Sequence, residues 1–261
     1  MRTRCAATAI CVALLSLPIH AWAQPTRSDT RCIPAVGAAS AVGTTLCFGA
    51  RPGAYVLVPR ANKTCTLGFL VRDRRGRSYM TTSGHCVLEA TAERKWPGVS
   101  GPTAVDDAGK KIGTFAYAVM KDTKDFALIA IDKSIKPNPQ VCHFGGPTGL
   151  YDERFPDPEV LSFYGQAEYV SDVVPARSGV TASTRGEDFI YAQAPIGPGD
   201  SGGPWLMSDG RAVGYLTHII GNGARATDVG IAFVRRLGPQ VAWAERALKT
   251  KLTLVTAPQL P

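Results

Sequence analysis

An all-β protein, two barrels closed by one C-terminal helix, is the architecture this sequence predicts, and three observations carry that reading. Short apolar or alternating runs recur between turn residues, at 66–71, 78–82, 111–120, 125–131, 160–164, 167–174, 189–192, 204–207, 212–218 and 229–234. Many short strands punctuated in this way fit a double barrel. A stretch from Ser134 to Gln140, carrying Pro137 and Pro139, reads as the linker between two halves. Val241 to Leu248 has the apolar spacing of a helix and closes the chain.

Taken in order, residues 1–23 read as a removed secretory signal: Arg2 and Arg4, an apolar run from Cys5 to Leu17, then Ala21-Trp22-Ala23 as a small-residue cleavage site. The apolar run is too short for a comfortable membrane span, and no later stretch reaches ~18 uninterrupted apolar residues. The protein is therefore expected to be exported, extracellular or periplasmic, without a stable membrane span. Residues 24–61, rich in Ala, Gly, Pro and Thr, read as an N-terminal arm or short pro-segment with a strand-like piece at 54–58. Residues 62–138 are then the first barrel and 139–261 the second with its helix. Within the first, the runs at 66–71 and 78–82 flank Arg72-Asp73-Arg74-Arg75-Gly76-Arg77, a strand-turn-strand signal.

The formal charge of +8 raises nucleic acid or anionic surfaces as partners, but the charges are dispersed. The one tight cluster, Arg72 to Arg77, lies in the hairpin turn with no aromatic residues interleaved, so it reads as a solvated loop and no nucleic-acid partner is expected. The remaining expectations are a monomer and no metal or organic cofactor. Of 7 cysteines, five follow the leader: Cys32, Cys47, Cys65, Cys86 and Cys142. In an exported chain they pair rather than bind metal, and an odd number leaves one thiol over.

Three motifs carry the chemistry. Gly197-Pro198-Gly199-Asp200-Ser201-Gly202-Gly203-Pro204 sets one hydroxyl among glycines that can turn backbone N–H groups toward a substrate. A serine hydroxyl is a poor nucleophile at neutral pH and needs a base and an orienting acid. Thr81-Thr82-Ser83-Gly84-His85-Cys86 offers the base, and Asp125-Phe126-Ala127-Leu128-Ile129 opens a hydrophobic strand with the acid. The chain order His, Asp, Ser is one of three in which this triad occurs.

From Cys65 to the final helix the chain resembles the chymotrypsin family of serine proteases, nearer the secreted bacterial, streptogrisin-like branch. The resemblance implies two six-stranded antiparallel Greek-key barrels and a secreted serine endopeptidase acting on protein or peptide substrates through an acyl-enzyme. It implies His85 as general base, Asp125 as the group that fixes its tautomer, Ser201 as nucleophile, and the N–H groups of Gly199 and Ser201 as the oxyanion hole. It implies a disulfide between Cys65 and Cys86, and it implies that Val141 to Gly149 is the first strand of the second barrel. The pairing of Cys32, Cys47 and Cys142 stays open: Cys32 with Cys47 is the local choice, and either with Cys142 ties the N-terminal segment to the second half. Among substrate-binding positions, Pro195 stands where trypsin-like enzymes carry a pocket-floor aspartate, which disfavours cleavage after Arg or Lys. Thr217, His218 and Ile219 correspond to the strand that pairs with substrate backbone, and Ile219 replaces a glycine that normally leaves the pocket open. A small or medium apolar residue before the cut is expected. His218 reads as a strand histidine facing solvent, ahead of a pocket histidine for acidic residues.

The chain also departs from the family. No Ile-Val-Gly-Gly start is visible to supply an amine to Asp200, and where bacterial relatives place an arginine the chain reads Cys142-His143-Phe144, which leaves His143 as the candidate partner. Two further readings stay open beside the protease: a catalytically quiet homologue that binds protein, and a serine esterase.

Overall fold

The computed structural model describes residues 47, 49–98, 100–155, 158–167, 175–185, 188–221 and 229–260. The expected leader at 1–23, the segment from 24 to 46 with Cys32, and the run at 167–174 beyond Ala167 lie outside the described residues. No helix among the described residues is long and apolar enough to cross a membrane.

The first half is an antiparallel sheet of nine strands: β1 (Tyr55–Val58), β2 (Lys63–Thr66), β3 (Leu70–Asp73), β4 (Ser78–Thr82), β5 (Ala92–Lys95), β6 (Thr103–Val105), β7 (Lys111–Lys121), β8 (Lys124–Ile131) and β15 (Leu252–Leu254). Its order is β15-β3-β4-β8-β7-β6-β1-β2, with β5 on β7. The second half is a closed six-stranded barrel, β10-β11-β14-β13-β12-β9, built from β9 (Val160–Tyr164), β10 (Ala176–Arg185), β11 (Phe189–Ala194), β12 (Pro204–Leu206), β13 (Ala212–Ile220) and β14 (Gly230–Arg236). One helix, α1 (Leu237–Leu248), follows.

The all-β two-barrel architecture thus holds, and four details differ from the sequence reading. The first sheet begins at Tyr55, inside the presumed arm, and recruits β15 from the far end of the chain, so its boundary is not 62–138. It also does not close through its strand path: the outer edge of β3 is taken by β15, and the N–H of Thr66 on β2 turns to the carbonyl of Ser201. Val141 to Gly149 makes isolated bridges only, because His143, Gly145 and Gly146 all take positive φ and a proline follows. Finally, the helix begins four residues before Val241, since Pro239 is tolerated in a first turn where N–H groups lack intrahelical partners.

Alternation along the strands builds three apolar clusters. Val56, Leu70, Met80, Phe115 and Ile129 fill the first barrel, and Phe163, Trp205, Val213, Leu216 and Val234 fill the second. The third, including Phe69, Tyr117, Phe126, Tyr215 and Ala244, lies between barrels and helix. Here Cys47 is bonded to Cys142, one of the pairings the sequence left open, and Cys65 is bonded to Cys86.

A crosslink between residues 95 apart removes much chain entropy from the unfolded state. Replacing Cys47 and Cys142 together by alanine is expected to lower the unfolding free energy by about 3–5 kcal/mol, read as a fall in the urea midpoint.

Candidate active site

β4 and β8 are paired neighbours, and each delivers one side chain to the same end of the sheet. Beyond β4 the chain makes a tight 3-10 turn over Gly84–Cys86, which carries His85. Two ties hold that turn: the Cys65–Cys86 bond to β2, and Lys63, whose Nζ donates to the carbonyls of His85 at 2.7 Å and Leu88 at 3.3 Å. Asp125, near the start of β8, is 2% exposed. Its Oδ1 accepts the backbone N–H of His85 at 2.9 Å, and its Oδ2 lies 2.8 Å from His85 Nδ1. On the other side of the ring, Nε2 lies 2.8 Å from Ser201 Oγ. An ionised carboxylate can only accept, so Nδ1 carries the proton and Nε2 is the acceptor for the serine hydroxyl. Burial opposes the charge on Asp125, but the hydrogen bonds and charge of His85, with His218 beyond, outweigh it and hold the carboxyl below its ordinary value.

Ser201 sits in the turn from Gly197 to Gly203. The N–H groups of Asp200, Gly202 and Gly203 bond to the carbonyls of Gly197, Leu216 and Asp200. Those of Gly199 and Ser201 donate to no described residue and are the pair available to a substrate oxygen. Gly199 has φ +99°, and a Cβ there would run into the carbonyl of Gln166, so only glycine fits. Thr66 of the first sheet braces the same loop: its Oγ1 donates to Gly199 O at 2.8 Å and accepts from Gln166 N–H at 3.0 Å.

Asp200 is fully buried, and its partner is Arg177 on β10, not His143. Arg177 Nη2 lies 2.5 Å from Oδ1 and Nη1 2.9 Å from Oδ2, a bidentate pair. The N–H groups of Ala167 and Gly197 add one bond to each oxygen, both at 2.9 Å. Burial pushes the Asp200 carboxyl upward while Arg177 and the two N–H donors pull against it. Facing a guanidinium that does not deprotonate, the carboxylate is held as an ion pair. The guanidinium also lies over the Phe163 ring, 4.6 Å from its centroid. His143 instead packs edge-on against Phe144.

The other positions predicted from sequence lie around this centre. Pro195 follows β11 and gives its carbonyl to Arg177 Nη1 at 2.9 Å. On β13, the Thr217 hydroxyl turns to the Phe233 carbonyl, and Ile219 packs against the second barrel's core. His218 is exposed, with its ring 6.0 Å from that of His85 and its Nδ1 3.9 Å from Asp125 Oδ2. Desolvation, the nearby His85 and Arg235 push its pKa below the ordinary value against the pull of Asp125. The Sγ atoms of Cys65 and Cys86 adjoin His85, but both are in a disulfide and offer no thiolate to a metal.

Sequence reasoning missed Arg177, Lys63, Thr66 and Tyr215. Tyr215 donates its hydroxyl to the backbone carbonyl of Asp125 at 2.9 Å, and Ser83 donates to Leu216 O at 2.8 Å, two stitches between the barrels.

Two β-barrels with an imidazole poised between a buried carboxylate and a serine hydroxyl define a serine endopeptidase. The family model described as Trypsin-like peptidase domain matches residues 66–214, and the chain belongs to that family. In fold it is similar to a Nocardiopsis protease, at 15% identity and a TM-score of 0.55 over 79% of this chain and 99% of that one. It is also similar to a glutamic acid specific serine protease that uses a histidine triad in substrate binding, at 15% identity and 0.54 over 78% of this chain and 100% of that one. No curated protein matches the sequence.

Truncating Arg177 would leave a buried carboxylate without its cation, so Arg177→Met is expected to cost about 3–5 kcal/mol in urea unfolding. Adding Asp200→Asn to that variant should recover part of the loss, because it removes the unpaired charge.

Proposed function

We propose that the chain is an exported serine endopeptidase that cleaves peptide bonds through His85, Asp125 and Ser201. One observation supports this above others: the two nitrogens of one imidazole lie 2.8 Å from a buried carboxylate oxygen and 2.8 Å from a serine hydroxyl. In the proposed reaction, Ser201 Oγ attacks the scissile carbonyl as its proton passes to His85 Nε2, and the oxygen, now anionic, is held by the N–H groups of Gly199 and Ser201. The protonated imidazole donates to the leaving amine, which departs and leaves an ester on Ser201. Water, deprotonated by the same nitrogen, then hydrolyses the ester and restores the hydroxyl. Asp125 holds the Nδ1–H tautomer and offsets the imidazolium charge.

Cleavage after a small or medium apolar residue fits Ile219, an apolar side chain on the substrate-pairing strand β13 itself, and Pro195, which brings no charge to the pocket. Residues 1–23 are proposed as the export signal. Two disulfides suit an oxidising compartment.

A fluorophosphonate probe should label the wild-type protein and not Ser201→Ala, and the wild type should cut a peptide library after apolar residues. Labelling that persists in the variant would exclude Ser201 as nucleophile. Ester hydrolysis with no peptide cut would exclude the endopeptidase.

His218 gives the reading a pH signature. The groups facing it are His85, Asp125 and Arg235, beside the Phe233 ring. Because its folded pKa is depressed, the unfolded chain takes up this proton first, near pH ~6.5, so stability falls as pH drops through the window between the two values. Below that window a second cation faces Asp125 Oδ2, the oxygen that the His85 ring engages. His218→Phe is expected to make the acid limb of kcat/KM less steep and to reduce the loss of urea stability between about pH 8 and about pH 5. Identical profiles in the two proteins would remove His218 from the account.

A further inference from the structure

A groove of about 1550 Å³ opens on the first barrel at the ends of β4 and β8 remote from the triad. Ser78 and Ile131 line it, while the opposite ends of the same two strands lead to His85 and carry Asp125. At about 3.3 Å per strand residue, the six steps from Asp125 to Ile131 put it about 20 Å away.

Seven Lys or Arg side chains line this groove against three carboxylates. Arg74, Arg75 and Arg77 come from the β3–β4 turn, Arg246 and Lys249 from the end of α1, Lys251 from the approach to β15, and Lys133 from the loop after β8. The pairing of Leu252 with Asp73 brings Lys251 beside the arginine turn. All three carboxylates are engaged. Asp73 accepts the N–H groups of Arg75 and Arg77 and the Tyr79 hydroxyl, Asp132 pairs with Lys111, and Glu245 pairs with Lys251 and the N–H of Leu252. Among the described residues, the other six cations make no pair with a carboxylate. About half of the chain's excess positive charge is thus gathered in one concavity rather than dispersed, as the sequence suggested.

Its surface is mixed, with Trp96, Pro97, Ile131, Ile135 and Leu248 among the cations. Trp96 is half-buried and packs edge-on against Phe115, and the other ring on the lining, that of Tyr79, is buried, so the groove lacks the stacking platform that single-stranded nucleic acid uses. The chain's own segment from Gln24 to Leu46 has one Asp against two Arg and is no complement to it.

We propose that this groove is an exosite for an acidic peptide segment with interspersed apolar residues, carried by a protein substrate about six or more residues from the bond to be cut. The substrate assignment rests on the endopeptidase reading above; the binding does not.

The test uses the full-length Ser201→Ala protein titrated with a labelled peptide alternating Glu and Leu, with a Lys-Leu peptide and a single-stranded oligonucleotide as competitors. The acidic peptide should bind, weaken about tenfold between low and high salt, and weaken about tenfold again in Arg74→Glu/Arg75→Glu/Arg77→Glu. The turn itself is held by Asp73 through backbone N–H groups, so that variant retains its fold. Lys133→Glu/Lys249→Glu is a second, independent lesion with the same expected loss. In the active protein, kcat/KM should fall for a substrate bearing a distant acidic segment and stay constant for a short peptide. No binding of the acidic peptide, binding indifferent to both variants, or tighter binding of the oligonucleotide would each overturn the proposal. Peptide binding without any cleavage by the wild-type protein would overturn the endopeptidase reading and leave the groove in place.

Discussion

The position of Ser201 depends on a carboxylate that the barrel would otherwise reject. Asp200 points into the second barrel's wall, where an unpaired charge would be intolerable, and Arg177 makes it tenable by meeting both oxygens from β10. The desolvation of two ions consumes much of what their attraction supplies, so the pair adds little net stability over a matched apolar pair. What it secures is geometry. Asp200 collects the N–H groups of Ala167 and Gly197, Arg177 collects the carbonyl of Pro195, and the loops that follow β9 and β11 are thereby set relative to each other beside the nucleophile. The cation is part of the barrel, so the turn's shape does not call for an amine from a chain terminus.

A second constraint lies across the seam. His85 and Asp125 come from the first sheet and Ser201 from the second, and proton transfer needs them within a hydrogen bond of one another. No single barrel can guarantee that distance. Thr66 does so by bonding both to the nucleophile turn and to the chain at Gln166, while its own N–H takes the carbonyl of Ser201. Tyr215 and Ser83 complete the seam from opposite directions, one reaching from β13 to Asp125 and the other from the first sheet to Leu216. Three of the four hydroxyl bonds are buried and the one from Gln166 is partly so; a lost partner there costs more than at the surface, so sliding of the barrels is opposed by several small penalties acting together.

How much of this the sequence disclosed follows from which parts are local. The triad candidates were legible because each occupies a short motif with its own turn chemistry, and the strands flanking them because β7 and β8 are continuous apolar runs. The rest is made by contacts through space. Arg177 sits in Ala176-Arg177-Ser178-Gly179, a small polar stretch with no strand signature, and only pairing with β9 and β11 makes it β10. Three-residue β15 gave no periodicity to read, and its place in the first sheet comes from Leu252–Leu254 lying along β3. Val141 to Gly149 misled in the other direction: the family resemblance implies a strand there, and the positive φ of His143, Gly145 and Gly146 with the proline that follows prevents one. Cysteine pairing was undecidable for the same reason, since Cys47 and Cys142 are brought together by the clustered core between the barrels.

The placement of His218 shows how one carboxylate can serve two imidazoles without ambiguity. In the proposed mechanism the proton lifted from Ser201 must stay on His85, yet Asp125 Oδ2 also faces Nδ1 of His218. Distance decides first: at 2.8 Å the pair is a hydrogen bond, while at 3.9 Å it is not. Surroundings decide next. Desolvation disfavours a proton on His218, and Arg235 and His85 both repel one. His85, by contrast, has its backbone N–H and its ring on the two oxygens of the same carboxylate, so the charge that develops there is met by a group already oriented toward it. A second imidazole so close to the acid is thus compatible with the proton transfer only while it remains neutral, and its neighbours are those that keep it so.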